Sequence, residues 1–341
     1  MSVAGLKRRR AYARTVNPAN PYCTATDALA THPYNFHAFR HFTQENTLPE
    51  RLQVLLQYLL PKQALTAFAG WVASHPRGAV TTRIINWFVK KYAVNMAEAL
   101  NPDKASYATF NDFFTRALKP GARPLAQASL ICPVDGAISQ FGRIEAGQIF
   151  QAKGHNYSTL ALLAGEKKLA AQFQDGHFAC LYLSPRDYHR IHMPCDGQLK
   201  RMLYVPGDLF SVNPVTARGV PGLFARNERL VCVFENEHGP FVMVLVGATI
   251  VGSMATVWHG VVNPPRIPAL RQWQYPNPQV HLKQGDEMGR FLLGSTVVML
   301  FPASAEGDFT FNPAWQPGGA IRLGEKMADL KIIEKKSQEQ P

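Results

Sequence analysis

Cysteine is scarce in this sequence. Its 341 residues hold five (Cys23, Cys132, Cys180, Cys195 and Cys232), odd in number, scattered, and never arranged as C-x-x-C. That argues against a disulfide framework or a cysteine-based zinc module and favours a reducing, cytosolic setting. A secretory leader is missing, because no apolar segment follows the basic run at 7–10 (Lys-Arg-Arg-Arg). The patterns G-x-S-x-G, H-E-x-x-H, G-x-G-x-x-G and the P-loop do not occur, so the nucleophile elbow, the zinc-protease helix and the common nucleotide cradles are set aside. Acidic residues are also in deficit, 24 against 36 Lys and Arg, and the deficit is uneven. Residues 1–123 hold 16 basic and 6 acidic residues, a net +10; residues 124–341 hold 20 and 18, a net +2. A basic N-terminal third points to a polyanion near that end, either nucleic acid or an anionic lipid surface.

What is present divides into four stretches. Residues 1–50 mix Arg, Asn, Pro, Thr and His without a sustained period and read as a flexible basic leader. Residues 51–124 read as a helical, membrane-associating region. Leu52, Leu55, Leu56, Leu59 and Leu60 share one helical face, and after Pro61-Lys62 the apolar pattern resumes with Leu65, Phe68, Ala69, Trp71 and Val72. The whole has membrane length, but Gln53, Gln57, Pro61, Lys62 and Gln63 argue against a spanning helix. The stretch 83–92 is aromatic and cationic, with Trp87, Phe88, Lys90, Lys91 and Tyr92. These segments predict helices lying in the headgroup layer, aromatic side down. Because the basic excess coincides with this apolar pattern and not with an aromatic stacking platform, nucleic acid is disfavoured as the partner.

Residues 125–302 change grammar. Short apolar runs at 137–141, 178–183, 229–234, 241–246, 248–251, 255–259 and 295–301 are separated by Gly and Pro, with one helical insert predicted at 159–173. The expected fold is α+β: N-terminal helices followed by a β-rich sandwich or barrel-like catalytic core. Residues 303–341 read as a polar C-terminal tail.

The densest chemical segment is Ser-Pro-Arg-Asp-Tyr-His-Arg-Ile-His-Met-Pro at 184–194, which carries His189 and His192. No third Asp, Glu or His lies at a recognised metal-ligand spacing, so proton transfer suits these histidines better than metal binding. Asp135 stands in the turn Pro133-Val134-Asp135-Gly136 just before a strand, an ordinary place for Asp. Ser295 follows Gly294 inside an apolar run, where glycine marks a bulge or a close backbone approach. Asp135, His192 and Ser295 would together complete a set in which the carboxylate orients the imidazole and the imidazole takes the hydroxyl proton. A membrane-associated Ser-His-Asp lipid hydrolase would use that set on a substrate ester and stay one chain; a non-enzymatic membrane adaptor would give the set no role.

Further segments are Lys153-Gly-His-Asn-Tyr-Ser158, Tyr204-Val-Pro-Gly-Asp-Leu-Phe-Ser-Val-Asn213, Phe224-Ala-Arg-Asn-Glu-Arg229, Val246-Gly-Ala-Thr-Ile-Val-Gly252 and Leu293-Gly-Ser-Thr296. In this order, and with the Asp135 turn and the two-histidine segment, the sequence closely resembles phosphatidylserine decarboxylase of the bacterial membrane-associated type, from about Leu55 to Phe301. The resemblance implies self-processing. Asp135 and His192 activate Ser295, which attacks the Gly294 carbonyl; the chain parts into β (1–294) and α (295–341), and Ser295 becomes a pyruvoyl group, a covalent self-derived cofactor. That ketone forms a Schiff base with the amine of phosphatidylserine and draws off electrons as carbon dioxide leaves, giving phosphatidylethanolamine. His189 is the candidate proton donor at the carbanion, with Tyr188 as its assistant. The resemblance further implies a homodimer and a peripheral place on the cytoplasmic side of the cell membrane, held to an anionic leaflet by the N-terminal helices.

Overall fold

The computed structural model describes residues 49–250, 253–292, 296–303 and 307–332. Apart from Pro49 and Glu50, the leader assigned to 1–50 lies outside them. The architecture is α+β, with helices first and a β-rich core after, as expected.

Three helices, Glu50–Leu59, Lys62–Ser74 and Ala79–Tyr92, open the described chain. The first buries none of its residues. It is tied to the core by polar contacts: Glu50 pairs with Arg218 (2.5 Å), and Gln57 Oε1 accepts from the Ser211 N–H (3.0 Å). Its leucines therefore remain on the surface. Leu59 is 71% exposed, Phe68 65%, Trp71 52% and Trp87 56%. The second and third helices share a small core with the short helix Phe110–Phe114, built from Ala73, Ile85, Phe88, Val94, Phe113 and Phe114. A capping box between Thr109 and Asp112 starts that short helix. Among the described residues no helix is long and apolar enough to cross a membrane.

The centre of the molecule is an antiparallel nine-stranded sheet. From one edge it runs Arg271–Gln274, Gly197–Val205, Arg229–Asn236, Gly239–Val246, Thr296–Phe301, His177–Tyr182, Gly136–Arg143 and Ala320–Ile321, with His281–Leu282 also on Gly197–Val205. Successive side chains point to opposite faces. Val297, Met299 and Phe301 enter one core cluster, and Val298 and Leu300 enter the other. Burial on both faces explains why these strands read as unbroken apolar runs.

One face of the sheet carries two smaller sheets. The first is ordered Gly260–Val261, Met254–Thr256, Glu287–Phe291, Arg190–His192; the second is Leu130–Ile131, Lys326–Ile332, Gly307–Phe311. The other face is covered by the Gln148–Ala152/His155–Ser158 hairpin and the short helices Thr159–Leu162, Lys167–Ala171, Pro214–Gly219 and Leu223–Arg226. The core is thus layered, and no sheet closes into a barrel among the described residues. The insert expected at 159–173 is two short helices broken at Ala164-Gly165, both at positive φ. The described part of the run at 248–251, residues 248–250, is not a strand: pairing stops at Val246, and Thr249 and Ile250 turn, Ile250 at φ +70°. The run at 255–259 is a strand only to Thr256. The stretch after Pro302, expected as a polar tail, contributes three strands whose Ile321, Met327 and Ala328 are buried.

Candidate active site

Asp135 is placed by the turn that feeds the Gly136–Arg143 strand. Gly136 is required there, because a Cβ would collide with the Tyr182 carbonyl oxygen across the sheet. The Asp135 side chain is buried and fully engaged. Arg123 Nε donates to Oδ1 (2.8 Å) and Oδ2 (3.1 Å), Arg123 Nη2 donates to Oδ2 (2.5 Å), and the Leu323 N–H donates to Oδ1 (2.9 Å). Arg123 also donates to Glu98 Oε2 (2.7 Å) and to the Ala122 carbonyl (2.7 Å). These partners, Asp135 foremost, hold its guanidinium well above its ordinary pKa.

His192 ends the Arg190–His192 strand. Its Nδ1 lies 2.8 Å from the Gly285 carbonyl, which can only accept, so the proton sits on Nδ1 and Nε2 carries the lone pair. Nε2 takes the Tyr188 hydroxyl at 3.2 Å. Burial lowers the His192 pKa, opposed by the Gly285 hydrogen bond, so the neutral form is favoured. Asp135 and His192 share a neighbourhood, since the His192 N–H donates to the Pro133 carbonyl (2.9 Å). Among the described residues they share no hydrogen bond. Arg123 occupies the carboxylate, and the Gly285 carbonyl orients the imidazole in the place expected of Asp135.

His189 is fully buried just before the same strand. Its Nδ1 meets the Asp187 carbonyl at 2.8 Å, and its ring packs against Phe114 at 4.1 Å, centroid to centroid, with the planes tilted by 41°. By the same argument Nε2 is bare; it is buried and has no partner among the described residues. Burial, with a further push from Arg116, drives the pKa down to about 3. Phe114 links this histidine directly to the core of the N-terminal helices.

Gly294 and Ser295 lie outside the described residues. Their flanks do not. The Phe291 N–H donates to the His189 carbonyl (3.0 Å), the Leu292 N–H to the Ser253 carbonyl (2.9 Å), and Thr296 is paired with Tyr182 on one side and Val246 on the other. A cleft of about 320 Å³ beside the Asp135 turn is lined by Glu98, Arg116, Arg123, Asp135, Arg186, Asp187, Tyr188 and Arg322, among others. Arg116, Arg123, the Gly285 carbonyl and Phe114 are the functional neighbours that the sequence reading did not single out. The two arginines stood only as part of the basic excess. The Phe-Asn-Asp-Phe-Phe run at 110–114 was the one available signal for a packing helix beside them. No cluster of metal-ligating side chains occurs among the described residues.

The chain belongs to the phosphatidylserine decarboxylase family, which it matches over residues 110–329; a second family, described as PSD, matches 52–93. Its relatives include the phosphatidylserine decarboxylase proenzyme of Polaromonas naphthalenivorans, 74% identical over 286 residues that make up 83% of this chain and 98% of that protein. The proenzymes of Albidiferax ferrireducens (74% over 279 residues, 82% and 97%) and Methylibium petroleiphilum (71% over 286 residues, 84% and 100%) are similarly close.

Proposed function

We propose that this chain is a phosphatidylserine decarboxylase made as a proenzyme, that it breaks its own backbone between Gly294 and Ser295, and that the pyruvoyl group formed from Ser295 serves decarboxylation at a membrane surface. The observation that carries the reading is the pairing of Phe291 with His189: the chain leading into Gly294-Ser295 runs against the strand that ends in His192 and against His189 just before it.

The residues present fit such a group. His189 Nε2 and Thr296 Oγ1, on the two flanks of the segment, are buried polar atoms with no partner among the described residues, an arrangement that costs on the order of 1–3 kcal/mol per group unless something completes it. When present, the pyruvoyl ketone supplies an electron sink for the charge left as carbon dioxide departs.

The partners of each ring support the following division of labour. His192 is the base of self-cleavage: its lone pair takes the Ser295 hydroxyl proton, directly or through Tyr188, while Gly285 fixes the tautomer. Asp135, clamped by Arg123, contributes a fixed negative charge and positions the turn that carries Pro133 and hence His192. His189 serves decarboxylation. It is neutral with a bare Nε2 in the free enzyme, so it must accept a proton before it donates one; the substrate ammonium, which has to lose a proton to become a nucleophile, is the source, and the negative charge that the substrate brings into the site is what raises the basicity of the ring enough to take it. His189 then returns that proton to the carbon that lost carbon dioxide.

The exposed leucines and tryptophans of the first three helices, with Lys90 and Lys91 beside Trp87, support an interfacial footing on an anionic leaflet. The test is intact mass spectrometry of purified wild type and Ser295→Ala. The reading expects two chains divided at residue 295 in the wild type, a single chain in the variant, and carbon dioxide release only from the former. Active wild-type protein of one uncleaved mass refutes it.

A further inference from the structure

The cleft beside Asp135 holds a buried cation, Arg116, that makes no ion pair with a carboxylate among the described residues. Four arginines line it, Arg116, Arg123, Arg186 and Arg322, against three carboxylates, Glu98, Asp135 and Asp187. Arg123 is saturated by Asp135 and Glu98. Arg322 lies 3.7 Å from Glu98, and Arg186 lies 3.8 Å from Asp187. Asp187 is further held by the Ser184 N–H and hydroxyl, both at 2.7 Å. Arg116 differs from all of these. It is only 5% exposed, its Nε is buried without a hydrogen-bond partner, and no carboxylate among the described residues pairs with it. Its guanidinium is propped over the Phe113 ring at 5.4 Å.

A buried guanidinium without a counter-ion is costly, and it is retained where an incoming anion completes it. The position is set by structure: Arg116 follows the helix Phe110–Phe114, whose Phe114 packs on His189, and it shares the cleft with Tyr188, which bonds His192. An anion held there shares the cleft with Tyr188, the partner of His192, and sits at the guanidinium whose charge reaches His189.

We propose that Arg116 is the receptor for the phosphodiester anion of the substrate headgroup, a specificity-determining residue that the decarboxylase reading above leaves unassigned and on which this inference rests. The substrate offers two anions, phosphate and carboxylate, and the chemistry separates them. Decarboxylation turns the carboxylate into neutral carbon dioxide, so a guanidinium paired with it would stabilise the ground state over the transition state and slow the reaction. The phosphodiester keeps its charge throughout, and the planar fork of arginine matches two of its oxygens. Gripping it costs nothing in the chemical step and fixes the distance from the lipid backbone to the reacting amine.

The experiment uses the full processed enzyme in mixed micelles, with Arg116→Gln and Arg116→Lys. Cleavage into two chains is scored first. KM and kcat are then measured for phosphatidylserine, together with the inhibition constant of phosphatidylethanolamine, which retains the phosphate and lacks the carboxylate. Arg116→Gln is expected to raise both KM and the inhibition constant by about ten- to a hundredfold, the worth of a charged hydrogen bond, with a smaller change in kcat. Arg116→Lys keeps the charge but not the fork and should restore part of the loss. A rise in KM with an unchanged inhibition constant would assign Arg116 to the carboxylate and overturn the proposal, as would no change in either. If the Gln chain is not cleaved, the Lys variant decides alone: parallel rises of several-fold support the proposal, and wild-type values in both overturn it. Wild-type protein that neither cleaves nor releases carbon dioxide would instead sink the underlying reading.

Discussion

Acidification should cost this protein stability through His189, and the size of the effect follows from its surroundings. The ring is wholly buried against Phe114, with the Asp187 carbonyl on Nδ1 and the charge of Arg116 nearby. Desolvation foremost lowers its pKa from 6.5 to about 3. The unfolded chain therefore takes up a proton near pH 6.5 that the folded chain refuses until about pH 3. Stability is fully present above the unfolded value and is lost as pH falls through the window between the two. At pH 5, a unit and a half below the unfolded value, the loss relative to neutrality is about 2 kcal/mol. The assay is urea unfolding at pH 7 and pH 5 in a Ser295→Ala background, which keeps the chain whole, with His189 or with His189→Gln. Histidines 177 and 192, whose pKa values burial also lowers, and the carboxylates are common to both proteins, so the difference isolates residue 189. With a urea slope of about 3 kcal/mol per M, the midpoint with His189 should fall about 0.7 M further on acidification than with Gln. Equal falls in the two proteins would refute the argument that His189 is held neutral by burial.

Three further outcomes follow from particular contacts. Arg123→Met leaves the Asp135 carboxylate buried and short of its counter-ion, which should cost about 3–5 kcal/mol in thermal or urea unfolding. Adding Asp135→Asn should recover part of that, and a single variant within about 1 kcal/mol of wild type would show that the pair is not a stability determinant. Gly136→Ala drives a Cβ into the Tyr182 carbonyl and should displace the Asp135 turn. Slow or absent cleavage on a gel is expected, and wild-type cleavage would show that the turn tolerates movement. Leu56→Glu, Leu59→Glu and Trp71→Glu should each weaken co-sedimentation with anionic vesicles roughly tenfold, with further release by salt; unchanged binding would remove these helices from the membrane interface.

The β-rich core was legible because the central strands are buried on both faces. Runs such as 241–246 and 297–301 are apolar at every position, and a continuous run flanked by turn residues reads as a strand whatever its neighbours. The C-terminal strands were not legible for the converse reason. Lys326–Ile332 interleaves Lys326 and Asp329, themselves an ion pair, with buried Met327 and Ala328, and its short neighbours give no period to count. In the site, the reactive residue types were visible: a turn aspartate and two histidines three apart. Their partners were not. The group that orients His192 is a backbone carbonyl at Gly285, and a carbonyl has no sequence signature. The partner of Asp135 is an arginine counted in the basic excess of residues 1–123. Arg116 and Arg123 are both nearly buried, so part of a charge imbalance read as attraction to a lipid surface is spent inside the molecule.

The place of the proposed cleavage bond would let the chain be cut beside its active site and remain a folded enzyme. On the proposed reading the break falls between 294 and 295, and the shorter product begins at the entrance to the Thr296–Phe301 strand. That strand is not at an edge. It is hydrogen-bonded along its length to His177–Tyr182 on one side and to Gly239–Val246 on the other, both from the longer product. Downstream, Ala320–Ile321 pairs with the start of Gly136–Arg143, and Lys326–Ile332 pairs with Leu130–Ile131. The Leu323 N–H, also from the shorter product, is one of the donors that hold Asp135. Removing the shorter product would take out the middle of the sheet together with part of the carboxylate's cradle, so the two pieces can separate only by unfolding. Cleavage in this fold therefore changes what stands at residue 295 while the hydrogen bonds that position Asp135, His189 and His192 stay in place.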